Sequence, residues 1–368
     1  MMTEAELVTE MKKNDNYRKL VAYGQVAGIG DDTLLDPAVS IFAYLAELSY
    51  GHQPQQLDYI ESVSAIDSAQ IRNAAWRLAA GDSIGPILVS IEPKAKAYHQ
   101  LKYHYSRLLM EGKSDSARAV RQSMNIYRWI NRQTRGSDHY VVVNIRGGYL
   151  RGFDATGKEE ISMNVIAGKS STPTPTMDTY ASGFITYPYW YVPKSIAVGE
   201  ILPRIRRDIG YLERNSFEVI NSRGRLIDAA QVDWHSVSES DFGYTFRQAT
   251  GEKNSLGLLK VNIKNPDAIF LHDTNVRSLF SNRNRWRSHG CVRLQKPAKL
   301  ANFLAGENVL EDGFLKNEIK QAEEERKPNM HDLKKKVPVF ILYMPADVDA
   351  RGSLYYFEDV YELDAPVS

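Results

Sequence analysis

The chain runs to 368 residues, enough for two or three domains and for a core that stands without disulfide or metal staples. At 43% hydrophobic and 25% charged residues it falls outside the disordered and membrane-embedded classes, and a formal net charge of +1 excludes a whole-protein field that would steer nucleic acid or an anionic bilayer. A single cysteine, Cys291, excludes intramolecular disulfides, zinc ribbons and paired-thiol redox chemistry.

Acids from Glu4 onward and the lack of an apolar run argue against a secretory signal at the N-terminus, which leaves a cytosolic chain or one whose signal has been removed. Residues 1–34 read as an N-terminal extension. Apolar residues at three- and four-residue spacing over Pro37–Tyr50 and Tyr98–Leu109 then predict a helical subdomain, which we bound at 35–135. From His139 the period changes to two. Short β-branched and aromatic runs at Tyr140–Ile145, Ile161–Ile166, Leu258–Ile263, Ala268–Leu271, Val339–Tyr343 and Leu354–Phe357 predict a mainly β body over 136–368. Pro297–Ala305 and the charged Glu311–Arg326 are its expected helices, and the length and weak periodicity of 185–241 suggest a mobile lid. The fold class is therefore α+β. Val337–Ala346, the longest apolar stretch, is broken by Pro338 and Pro345 and is too short to span a bilayer.

The chemistry concentrates in Ile269–Leu294. A buried-looking strand delivers His272, and Ser288-His289-Gly290-Cys291 follows. A thiol needs a partner to act as a nucleophile near neutral pH, and both His272 and His289 qualify. His289 lies two residues before Cys291, so on an extended chain the two side chains would share a face. Gly290 allows a tight turn, after which the N–H groups of Gly290 and Cys291 would face a developing oxyanion. The alternative is that both imidazoles satisfy turns and Cys291 packs as a small hydrophobe.

His272 and Ser288-His289-Gly290-Cys291-Val292-Arg293 resemble the signature of the YkuD-type L,D-transpeptidases. Further blocks resemble the YcbB-type subgroup of that family: Gly168-Lys169 with Thr172-Pro173, Pro188-Tyr189-Trp190-Tyr191-Val192-Pro193, Arg247-Gln248 to Asn254-Ser255-Leu256-Gly257, and His272-Asp273-Thr274. The helical segment from Asp36 to Leu109 resembles the subgroup's scaffold.

The resemblance implies Cys291 as nucleophile and His272 as general base, with His289, Gly290 and Arg293 completing the catalytic site. It implies a reaction on peptidoglycan stem peptides in the cell envelope, a tetrapeptide donor forming a thioester that a stem amine resolves into a 3→3 crosslink, without metal or organic cofactor. Ser288, Asp273, Tyr189, Trp190 and Arg287 are the expected substrate contacts. Hydrolysis of the same thioester, or a catalytically idle wall-binding scaffold, are the rival functions. The subgroup's peptidoglycan-binding module is missing from its usual place, where only Glu111–Arg121 stands. The remaining histidines show no ligand spacing, and no nucleic-acid partner is expected.

Overall fold

Two compact units divide the chain: residues 1–162, 175–180 and 337–368 form one, and residues 163–174 and 181–336 the other. The structure, a computed structural model, describes residues 2–29, 40–311, 313–314 and 326–364. Most of Glu311–Arg326 lies outside the described residues.

The first unit opens with helices Glu4–Lys13 and Asn16–Val26. Thr3 starts the former with a capping box: its hydroxyl accepts from the Glu6 N–H, while the Glu6 carboxylate accepts from the Thr3 N–H. Leu7, Met11 and Leu20 join Leu45, Leu48, Ile71, Leu78 and Leu88 in one apolar cluster, so residues 4–26 are built into the helical core. A second cluster gathers Tyr98, Leu101, Met124, Trp129, Val142 and Phe340. Helices Lys96–Met110 and Ser114–Gln133 are joined by a three-residue turn, Glu111–Lys113, at the junction where the subgroup's module is expected. Strand His139–Asn144 pairs antiparallel with Tyr149–Asp154 and parallel with Val339–Leu342.

The second unit holds the predicted β body. Leu259–Ile263 runs antiparallel to residues 181–186 and to Leu271–His272; Leu271–His272 runs parallel to Val292–Leu294, which in turn pairs antiparallel with Val165–Ile166. Leu259, Val261, Leu271, Val292 and Leu294 are buried, while Lys260, Asn262 and Arg293 between them are half-buried. This period of two places Lys260, His272 and Arg293, which pair in register, on one face. Helix Pro297–Ala305 forms as expected, with Pro297 in its first turn and Leu300, Ala301 and Leu304 buried.

Residues 190–248 are more ordered than their weak periodicity predicts. Four short strands pair in the order Trp190–Tyr191, Tyr244–Gln248, Phe217–Asn221, Leu226–Ile227, around a small core of Ala197, Leu202, Trp234, Phe242 and Phe246. Helical pieces of three to six residues, one of them a π-helical turn at Ala197–Ile201, are too short to leave a repeating pattern. Among the described residues no helix is long and apolar enough to cross a membrane.

Asp178 in the first unit accepts from Trp129 Nε1 at 2.8 Å and Gln133 Nε2 at 2.5 Å, yet burial pushes its carboxyl up to about 6. A carboxyl raised above its unfolded value near 3.9 costs stability that grows as pH rises from about 4 to 6 and stays in full above that. Asp178→Asn keeps an acceptor oxygen without the charge. It should gain about 2 kcal/mol at pH 7.5 in urea denaturation, with the gain shrinking toward pH 4.

Candidate functional site

Cys291 sits in a bend between Trp286–Ser288 and Val292–Leu294, shaped by contacts a sequence does not display. Ser288 Oγ donates to the Cys291 carbonyl at 2.5 Å and accepts from the Gly290 N–H at 3.2 Å. Gly290 has φ of +116°, where a side chain is strained and a Cβ would also press on Ile269. From outside, Lys169 N–H and the Thr172 hydroxyl both donate to the Ser288 carbonyl, at 3.0 and 3.2 Å. Buried Thr174 accepts from Gly168 N–H at 2.8 Å and donates to the Gly290 carbonyl at 2.6 Å. Gly168 itself admits no side chain, since a Cβ there would stand 2.2 Å from the Thr172 carbonyl.

The thiol is half-buried, and Sγ lies 3.8 Å from the Ala268 carbonyl oxygen. Burial pushes it above the ordinary thiol range, against the Phe270 amide and the charges of Lys260 and Arg293. His272 is buried on the same face. Its Nδ1 pairs with the Asp273 carbonyl oxygen, which assigns the proton to Nδ1 and leaves Nε2 as the basic nitrogen. Burial first, then the Arg293 charge, and further Lys260, hold the ring down to about 3, so it is neutral at rest. Among the described residues no hydrogen bond joins Sγ to either imidazole in this resting arrangement. The Cys291 N–H likewise has no backbone partner among them.

Several expected contacts fall elsewhere. His289 does not alternate with Cys291 as on an extended chain, because the backbone bends at Gly290; its Nε2 meets Glu200 Oε1 at 2.6 Å, and Glu200 stands in the π-helical turn. The Gly290 N–H is spent on Ser288 within the bend, which leaves only the Cys291 N–H of the expected pair. Asp273 is fully buried: its carboxylate accepts from the Leu258 N–H at 2.9 Å and from Arg277 at 2.7 Å, and so ties the strand end to its neighbours. Ser288 is buried, with its hydroxyl committed to the bend. Tyr189 lies under the Arg247 guanidinium, 4.4 Å away, and Trp190 packs at a tilt on Phe217. Exposed Arg287 donates to the Asn284 carbonyl at 3.2 Å. Neither these aromatics nor Arg287 hydrogen-bond or stack on Cys291 or His272. Among the described residues no group of three or more His, Cys, Asp or Glu could hold a metal.

Thr172, Thr174 and Lys260 are the positions whose contribution the sequence reading did not foresee. Replacing Thr174 by Val strands a buried N–H and a buried C=O together, at about 1–3 kcal/mol each. Thr174→Val should therefore lose at least about 2 kcal/mol in chemical denaturation, and Thr174→Ser, which retains the hydroxyl, should stay near wild type.

Comparison with known proteins gives the family. The family model for the YkuD L,D-transpeptidase catalytic domain matches residues 138–340. A Haemophilus influenzae protein provisionally named an L,D-transpeptidase is 31% identical over 208 residues, 56% of this chain and 41% of that one; the chain thus spans less than half of that relative. Among solved structures, an Enterococcus faecium L,D-transpeptidase crystallised as a cysteine-to-serine mutant is 12% identical, covering 56% of this chain and 50% of that one at a TM-score of 0.25. Mycobacterium tuberculosis L,D-transpeptidase 1 is 14% identical, covering 56% and 61% at a TM-score of 0.22. The match over residues 138–340 takes in every element that shapes the Cys291 bend, and on that basis the chain belongs to the YkuD L,D-transpeptidase family.

Proposed function

We propose that this chain is a peptidoglycan L,D-transpeptidase that forms 3→3 crosslinks through a thioester on Cys291. The observation that carries the reading is a half-exposed thiol sharing a strand face with a neutral imidazole whose Nδ1 is already committed. His272 Nε2 takes the thiol proton as sulfur attacks the carbonyl of the third stem residue. The S–C bond forms, the C–N bond to the terminal residue breaks, and that amine leaves with the proton from His272. The Cys291 N–H is the donor available to the oxyanion. The side-chain amine of a second stem then attacks the thioester, gives its proton to His272, and returns the sulfur as a thiol.

We assign residues 136–368 to the catalytic domain, 35–135 to a scaffold into whose core residues 4–26 of the 1–34 extension pack, and the 185–241 region to a lid over the stem. The sequence blocks and the short Glu111–Lys113 turn support a YcbB-like enzyme without the wall-binding module, working in the periplasm and open to carbapenems. Hydrolysis by the same thioester would yield tripeptides in place of crosslinked dimers.

Intact-mass measurement with a carbapenem should show a stoichiometric adduct on the wild type and none on Cys291→Ala; an adduct that survives the substitution overturns the assignment. Incubation with tetrapeptide muropeptides should give 3→3 dimers, and tripeptides alone would replace transfer by hydrolysis. A neutral His272 and a raised thiol also set a pH signature. Alkylation of Cys291 by iodoacetamide should climb into the alkaline range, whereas a preformed thiolate–imidazolium pair would give a plateau from about pH 5 upward.

A further inference from the structure

The strand register sets Lys260, His272 and Arg293 side by side, with Phe270 and Cys291 one pleat away. Lys260 Nζ lies over the Phe270 ring, 3.6 Å from its centroid. Both Lys260 and Arg293 are half-buried, and Arg293 Nε is sealed from solvent without a hydrogen-bond partner. Among the described residues neither cation has a carboxylate within ion-pair distance. The acids that meet the two histidines or adjoin them are committed: Asp273, next to His272, to Arg277 and the Leu258 N–H, and Glu200 to His289. Partly desolvated cations without a counter-ion are costly, and the phenyl face offsets only part of that for Lys260.

The one anion this face can generate is the Cys291 thiolate, and the reaction consumes it. The thiol is protonated at rest and the acylated sulfur is neutral, so neither cation has a counter-charge at the stage when the acyl group must be held for the second substrate. An anion carried in by the acyl donor would restore neutrality. We propose that Lys260 and Arg293 form a carboxylate-recognition pair flanking Cys291, with Lys260 the specificity-determining member for the acyl donor. This rests on the acyl-transfer reading of Cys291. The carboxylate has two sources in a tetrapeptide stem: the C-terminus of the departing residue, or the side chain of the residue whose acyl group moves to sulfur.

The test uses three synthetic tetrapeptide donors: one with both carboxylates free, one with a C-terminal carboxamide and one with a side-chain carboxamide. In the wild type, amidating the recognised carboxylate should lower kcat/KM for thioester formation by about 10- to 100-fold, the range of a charge-assisted hydrogen bond in a partly buried site. Whichever amide suffers identifies the source. Lys260→Met keeps an apolar stem against Phe270 and should erase most of that discrimination, and Lys260→Arg should retain it. A wild type indifferent to both amides, or a Lys260→Met enzyme slowed equally on all three donors, overturns the proposal and leaves Lys260 as a tuner of the thiol alone.

A second readout needs no turnover. The free-acid donor should protect Cys291 from iodoacetamide in the wild type and not in Lys260→Met, each rate taken relative to the unprotected protein. If no donor ever forms a thioester although Cys291 alkylates, the transpeptidase reading falls; protection that depends on Lys260 then still upholds the carboxylate pair, and its absence overturns that too.

Discussion

The pairing of a two-residue strand, Leu271–His272, between two longer neighbours is the constraint on which the site depends. Because side chains alternate, burying Val261, Leu271 and Val292 obliges Lys260, His272 and Arg293 to emerge together on the opposite side. A slip of one residue in either neighbour would turn its cation into the core. The apolar residues that contribute nothing to chemistry thus position the residues that do.

The second determinant is how the bend around Cys291 is held. Its carbonyls are gripped by Thr172, Thr174 and the Lys169 amide, its N–H at Gly290 by Ser288, and its backbone turns where only glycine is unstrained. Such a loop gains little from hydrophobic burial and is kept in shape by hydrogen bonds that would be expensive to leave unmade. The electrostatics follow from the same enclosure. Burial and two nearby cations keep His272 neutral, while those cations partly counter the rise that burial imposes on the thiol.

The division into a helical first third and a β-rich remainder was legible because periods of 3.6 and 2 are written into the apolar residues, as at Tyr98–Leu109 and Leu258–Ile263. His272 and Cys291 stood out because few residue types carry nucleophilic or acid–base chemistry, Gly290 because it allows a tight turn beside the thiol, and Arg293 through its place in the resembled motif. Lys260 did not, because an isolated lysine in an alternating strand has the pattern of a solvent-facing side chain; only the register puts it beside the thiol. The backbone contacts of Asp273 and Ser288 were hidden for another reason. Short polar side chains at strand ends are as suited to closing local backbone as to meeting a ligand, and here buried amides claimed them. The threonine grip was hidden because hydroxyl-to-carbonyl bonds between residues more than a hundred positions apart exist only once both loops are in place.

Glu200 meets His289 from a π-helical turn, a geometry that accommodates one residue more than an α-helix would in the same rise. Deleting a single residue between Ala197 and Glu200 would relax that turn to ordinary α-helix and change the backbone that carries the carboxylate toward the imidazole. The link between the 190–248 subdomain and the nucleophile's loop is therefore set by chain length as much as by the identity of the acid, and descendants of this chain could lose it while still carrying a glutamate there.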